Sequence, residues 1–165
     1  MISETNIKNK ILEFLREVPD PEIPVLNIVD LGIIRDIREH NNFVEVDITP
    51  TYSGCPAMKV IEDDIAAKLR EKGINNFRIK NIISPAWTTD WISAEGRNKL
   101  REYGIAPPEE KSGDKNFLLG KTKNITCPHC KSINTILISQ FGSTPCKALY
   151  KCKDCTEPFD YFKCH

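Results

Sequence analysis

Apolar side chains recur at Ile7, Ile11, Leu12, Phe14 and Leu15 and continue at Val18. That spacing predicts a helix over residues 5–17, with Ser3 or Thr5 as N-cap, ending before Pro19. The stretch Pro19-Asp20-Pro21-Glu22-Ile23-Pro24 carries too many prolines for a helix or a central strand. Asp30-Leu31-Gly32 then leads into a strand at Ile33–Ile37, and His40-Asn41-Asn42 reads as the turn that follows. From Phe43 to Thr49, Val44, Val46 and Ile48 alternate with Glu45 and Asp47, the pattern of a half-buried hairpin strand.

Period 3.6 returns after Gly54-Cys55-Pro56. Pro56 suits a first helical position, Met58, Ile61, Ile65 and Leu69 line one face, and Gly73 is a natural C′ residue. Phe77–Ile83 reads as a third strand. Trp87-Thr88-Thr89-Asp90-Trp91 follows, then a short helix over about 94–103 closed by Gly104. The order α-β-β-α-β predicts two helices over a small three-stranded sheet. Pro107-Pro108 and the polar run from Glu109 read as a linker. There is no internal repeat and no low-complexity tract.

Further along, Cys127-Pro128-His129-Cys130 and Cys152-Lys153-Asp154-Cys155 form two C-x2-C knuckles with 21 residues between them. A C-x2-C turn sets two thiolates on one side of a tight loop, and two such turns complete a tetrahedral four-thiolate site. Ile136-Leu137-Ile138, Ala148-Leu149-Tyr150 and Phe159–Phe162 supply three strands, which makes the segment a zinc ribbon. So short a segment has little core, so its metal should contribute folding energy. A rubredoxin-like iron site uses the same ligands and stays open as an alternative. The expected fold class is therefore α+β: a two-layer α-β-β-α-β domain over 1–108, a linker at 109–116, and a zinc ribbon over 117–165.

Composition narrows the function. The chain has 165 residues, 40% hydrophobic and 28% charged, with no net charge, so no global field draws it to nucleic acid or membrane. Residues 1–116 carry 16 Lys/Arg against 20 Asp/Glu, whereas 117–165 carry 7 against 3, an asymmetry that fits two modules. The polar start lacks a signal-peptide pattern and no stretch approaches a membrane span, so a reducing, cytoplasmic setting is expected. Six of the seven cysteines fall in the last 39 residues, which points to metal or thiol chemistry rather than disulfides. Cys146 and Cys164 read either as small buried residues or as a second thiol pair on the ribbon. His129 reads as a surface residue, and His40 and His165 carry no assigned role.

Cys55 stands apart from this cluster, at or beside the start of the second helix. Free amides and the positive end of the helix dipole favour thiolate there, so a depressed pKa and a nucleophile or metal-ligand role are expected; a plain helix cap is the alternative. Asp20 and Glu22 join that site only if their loop folds against it.

Several stretches together resemble a known family. They are Asp20-Pro21-Glu22-Ile23-Pro24, Val29-Asp30-Leu31-Gly32, Thr49–Pro56, Pro85–Trp91 and Tyr103–Pro108, with Phe141-Gly142-Ser143-Thr144, Cys146–Tyr150 and Glu157–Cys164 in the tail. The chain resembles the PaaD family of phenylacetyl-CoA oxygenase (ring epoxidase) systems over nearly its whole length. Its first half resembles the broader SufT-like domains of iron–sulfur assembly. Pro145 departs from the pattern, where a small residue is expected, without touching a ligand. The resemblance implies an accessory protein rather than an enzyme, assisting iron–sulfur or di-iron maturation of a multicomponent oxygenase. It implies oxygenase and reductase subunits and the iron–sulfur assembly machinery as partners, structural zinc, and a transient iron or iron–sulfur cluster. It carries over Cys55 as the metal or cluster ligand, with Asp20 and Glu22 beside it. A homo-oligomer is compatible with it.

Two rival classes remain. A thiol enzyme built on Cys55 needs a base near the sulfur, and none of the three histidines belongs to a convincing motif. A ribbon adaptor for protein or nucleic acid could exploit the basic tail, but its lysines are scattered.

Overall fold

A computed structural model of the chain describes residues 4–108 and 124–163. It divides into two compact units, Met1–Trp87 and Thr88–His165. The fold class is α+β, with a four-cysteine zinc-ribbon region at the C-terminal end.

The first unit is built from α1 (Glu4–Leu15), β1 (Ile34–Glu39), β2 (Val44–Ile48), α2 (Ala57–Glu71) and β3 (Phe77–Asn81). Its sheet has the order β1-β2-β3, antiparallel between β1 and β2 and parallel between β2 and β3. The parallel pair is possible because α2 makes the crossover between its strands. The helical stripe of α2 turns inward at Ala57, Ile61, Ile65 and Leu69, while Met58 is only half-buried. Burying each of the larger side chains contributes about 1.5–3 kcal/mol. Val46 and Ile48 in the sheet and Ile11 and Leu15 in α1 are likewise buried.

The first helix ends at Leu15, two residues before the sequence pattern does. Glu17 N–H bonds to Phe14 C=O at 3.2 Å and Val18 N–H to Leu15 C=O at 3.1 Å, a tighter turn that ends the α geometry ahead of Pro19. Likewise β3 stops at Asn81, and Ile83 emerges 74% exposed. The unit closes on Trp87, whose indole N–H donates to Leu31 C=O at 3.0 Å.

The second unit holds a 3-10 turn (Thr89–Trp91), α3 (Ala94–Glu102), β4 (Ile105–Ala106), β5 (Thr135–Ser139), β6 (Lys147–Cys152) and β7 (Pro158–Phe162). Ser93 caps α3 through Gly96 N–H at 2.9 Å. The sheet order is β4-β7-β6-β5. Ile105 and Ala106 pair parallel with Asp160 and Tyr161, so the strand after α3 joins the ribbon sheet. The sequence pattern assigns residues 1–108 to the first domain, whereas the contacts place 88–108 with the ribbon. A two-residue strand has no alternation to reveal it, and only its partner β7 defines it. The linker expected at 109–116 lies outside the described residues, as does Cys164. No helix among the described residues is long and apolar enough to cross a membrane.

Candidate metal centre and the thiol at Cys55

The ribbon core gathers Ala106, Ile125, Ala148, Tyr150, Phe159 and Tyr161 around Cys127 and Cys152. Tyr150 stacks on Phe159 with ring centroids 5.9 Å apart and meets Tyr161 edge-on at 5.7 Å. This aromatic floor fixes β6 and β7, and with them the second knuckle. The first knuckle is tied by Lys131 N–H to Cys127 C=O and Cys127 N–H to Ser132 C=O, each 2.9 Å. Lys153 N–H to Asn134 C=O at 2.8 Å, together with Asp154 accepting from Ser132 and Asn134 side chains, joins one knuckle to the other.

Cys127, Cys130, Cys152 and Cys155 offer sulfurs that all lie within 4.8 Å of one another. Cys127 Sγ is 3.8 Å from Cys155 Sγ, and Cys130 Sγ is 3.5 Å from Cys152 Sγ. Zinc–sulfur bonds of about 2.3 Å give tetrahedral sulfur–sulfur edges of about 3.8 Å, whereas a disulfide needs about 2.05 Å. The four sulfurs therefore fit a tetrahedral thiophilic metal and do not form disulfides. Amide N–H groups of Cys155 and Asp154 pull the Cys152 thiol down to about 7. The Glu157 amide also favours thiolate at Cys155, but burial and the neighbouring sulfurs outweigh it and push that thiol up to about 12. Sulfurs this close repel once ionised, and a bound dication removes that conflict.

Each knuckle ends in a residue that the sequence pattern does not flag. Lys131 (φ 63°) and Thr156 (φ 66°) follow the last cysteine of their turns in left-handed backbone, where glycine or asparagine would be the usual signal. His129 is exposed and its ring packs over Gly104, whose φ of +88° and missing side chain allow the approach. A cleft of about 530 Å³ beside this knuckle is lined by Arg101, Glu102, Pro107 and Lys131 among others.

In the first unit, Gly54 takes φ +77°, which aims Cys55 at the start of α2. Pro56 is the N-cap residue and supplies no side-chain cap, so Cys55 stands just before the cap. Its amide donates to Tyr52 C=O at 3.2 Å, and its own carbonyl accepts from Met58 N–H at 3.3 Å. Asp20 is 5% exposed and accepts from the amides of Glu22 at 2.9 Å and Ile23 at 2.7 Å, which folds its loop into a tight turn. The sequence-based expectation of a depressed Cys55 pKa fails. Burial is the largest influence and pushes the thiol up; hydrogen bonds from the Ala57 amide and from Tyr52 oppose it, while the charges of Glu22 and Asp20 reinforce it. The helix N-terminus acts as expected but is outweighed by desolvation and the acidic loop.

Two families match the chain. The PaaD zinc beta ribbon domain matches residues 111–163, and the family described as iron-sulfur cluster assembly protein matches 8–75. An Escherichia coli (strain K12) protein, provisionally named as the D component of 1,2-phenylacetyl-CoA epoxidase, is 45% identical over 156 residues, covering 94% of this chain and 92% of its own length. A Porphyromonas gingivalis (strain ATCC BAA-308 / W83) protein named Fe-S protein maturation auxiliary factor is 38% identical over 92 residues, 54% of this chain and 87% of its own. A solved structure of a DUF59 domain of unknown function from Bacillus anthracis superposes with a TM-score of 0.55 at 27% identity, covering 59% of this chain and 93% of its own.

Proposed function

The chain belongs to the PaaD family of phenylacetyl-CoA epoxidase components, and from that premise we propose that it is an accessory protein that assists iron–sulfur or di-iron maturation of a multicomponent oxygenase. What supports this reading is the half-buried Cys55 thiol just before α2, on which the charges of Glu22 and Asp20 act. A thiol held protonated by burial and two carboxylates is a poor nucleophile at neutral pH, yet it becomes a strong soft ligand once a cation arrives and displaces the proton. Asp20 and Glu22 would favour that cation electrostatically, with Asp20 held in place by its own turn. Iron or a cluster is cargo here, taken up by Cys55 and passed to a client. The ribbon thiolates Cys127, Cys130, Cys152 and Cys155 would hold a structural metal, which we assign as zinc.

The clients proposed are the oxygenase and reductase subunits, supplied by the iron–sulfur assembly machinery. A thiol-enzyme role is disfavoured because burial and the charges of Glu22 and Asp20 keep the Cys55 thiol protonated, which leaves little thiolate to act as a nucleophile. The test is to co-produce the oxygenase subunits with wild-type or Cys55→Ser protein and measure client iron and epoxidase activity. Loss of iron loading with an intact fold supports the reading. Full loading by Cys55→Ser would reduce the chain to an adaptor that docks without transferring metal.

A further inference from the structure

Seven large apolar side chains among the described residues are strongly exposed, and four of them fall within nine consecutive positions. Ile133 (66%), Ile136 (37%), Ile138 (52%) and Phe141 (65%) lie along and beside β5. Among the described residues that strand is an edge: its sheet runs β4-β7-β6-β5, and β5 pairs with β6 on its inner side. Its five residues, Thr-Ile-Leu-Ile-Ser, include no charge and no proline. Soluble proteins guard such edges with lysine, proline or a cover, because the outer row of amides and carbonyls is a template for another strand.

The surroundings say what the partner's chemistry must be. From Lys131 to Lys153 the chain carries four lysines and no acidic residue. Lys131, Lys151 and Lys153 are exposed, and Lys151 stands across the ladder from Ile136. Lys153 N–H bonds to Asn134 C=O, which puts Lys153 with Lys131 at the leading end of β5. Asp154 is engaged by Ser132 and Asn134, and Glu157 precedes β7, two strands from the open edge. Phe141 is occupied by the Lys163 ammonium, 4.2 Å from its ring centroid.

We propose that the open edge of β5 is a docking strand for an extended segment of another protein, with apolar side chains at alternate positions and acidic ones at the end that meets Lys131 and Lys153. Main-chain pairing supplies the attachment, Ile136 and Ile138 read the apolar positions, and the lysines select the acidic end and its direction. A second copy of this chain fits worse. It would bring two acid-free basic runs together. Nucleic acid is disfavoured because the aromatic ring at this edge is already capped by a cation. The inference stands independently of the maturation reading.

The experiment uses the full-length, metal-loaded protein and a fluorescein-labelled peptide, Thr-Val-Thr-Val-Thr-Glu-Glu, followed by anisotropy. Saturable binding is expected, weakened at least tenfold when the glutamates are exchanged for lysines. Ile136→Ser with Ile138→Ser, and separately Lys131→Gln with Lys153→Gln, should each weaken it at least fivefold while metal content stays unchanged. Equal binding of the acidic and basic peptides, no binding, or full binding by the isoleucine variant overturns the proposal. So does a protein dimer that the isoleucine variant dissolves, or displacement of the peptide by a short single-stranded oligonucleotide.

Discussion

If the ribbon's metal holds the second unit together, an exposed ligand should matter as much as a buried one. Cys130 is exposed, whereas Cys152 is fully buried among Tyr150, Phe159 and Tyr161. Serine at position 152 would leave a hydroxyl in the aromatic core and disturb packing by itself; serine at 130 faces solvent and removes only a ligand. Structural zinc in small modules contributes about 10–16 kcal/mol of apparent free energy at neutral pH. Shared over four ligands, one thiolate accounts for about 3 kcal/mol, roughly a hundredfold in metal affinity or more. Cys130→Ser should therefore lose its metal to a chelator concentration that leaves wild type loaded. Limited proteolysis should then cut within 124–163 while residues 4–87 stay protected. Metal per chain by mass spectrometry and cleavage mapping read both effects. Should Cys130→Ser keep one metal under that chelator, or lose it without opening the ribbon, the metal is not what folds this unit.

Three further outcomes are expected. Because the folded state holds Cys55 above its ordinary pKa of 9.0, the thiol stays protonated up to that value, and any stability from this group is lost as pH rises through and beyond it; peptide-mapped alkylation of Cys55 should be slower at pH 8 than for a free cysteine, and Glu22→Gln should speed it, whereas an apparent pKa under 9 would contradict the geometry. Gly54→Ala meets no atom within 4 Å but must adopt φ +77°, so it should cost about 1–2 kcal/mol from backbone strain alone, read as a lower midpoint in chemical denaturation. Arg38→Leu should destabilise the first unit by about 2 kcal/mol, since Asp47 is 2% exposed, accepts from Arg38 at 2.6 Å through one oxygen and has no partner for the other among the described residues; Asp47→Asn in the same background should recover part of the loss in the same denaturation assay.

The sequence alone determined whatever depends on near neighbours. The 3.6-residue spacing of Ile61, Ile65 and Leu69 placed α2, the alternation of Val44, Val46 and Ile48 placed β2, and the paired C-x2-C knuckles brought four thiolates to one point. Those patterns are local because a helix face, a pleat and a tight turn are each closed by residues a few positions apart. What the tertiary structure decided was long-range. Ile105 and Ala106 became a strand only because β7, over fifty residues later, lies beside them. Lys131 and Thr156 take left-handed backbone where each knuckle ends, a conformation that their residue types do not signal. The sign of the Cys55 shift could not be read locally either. The sequence showed the helix start that favours thiolate, but burial and the charges of Glu22 and Asp20, about thirty residues upstream, oppose it, and that balance is set by the tertiary fold.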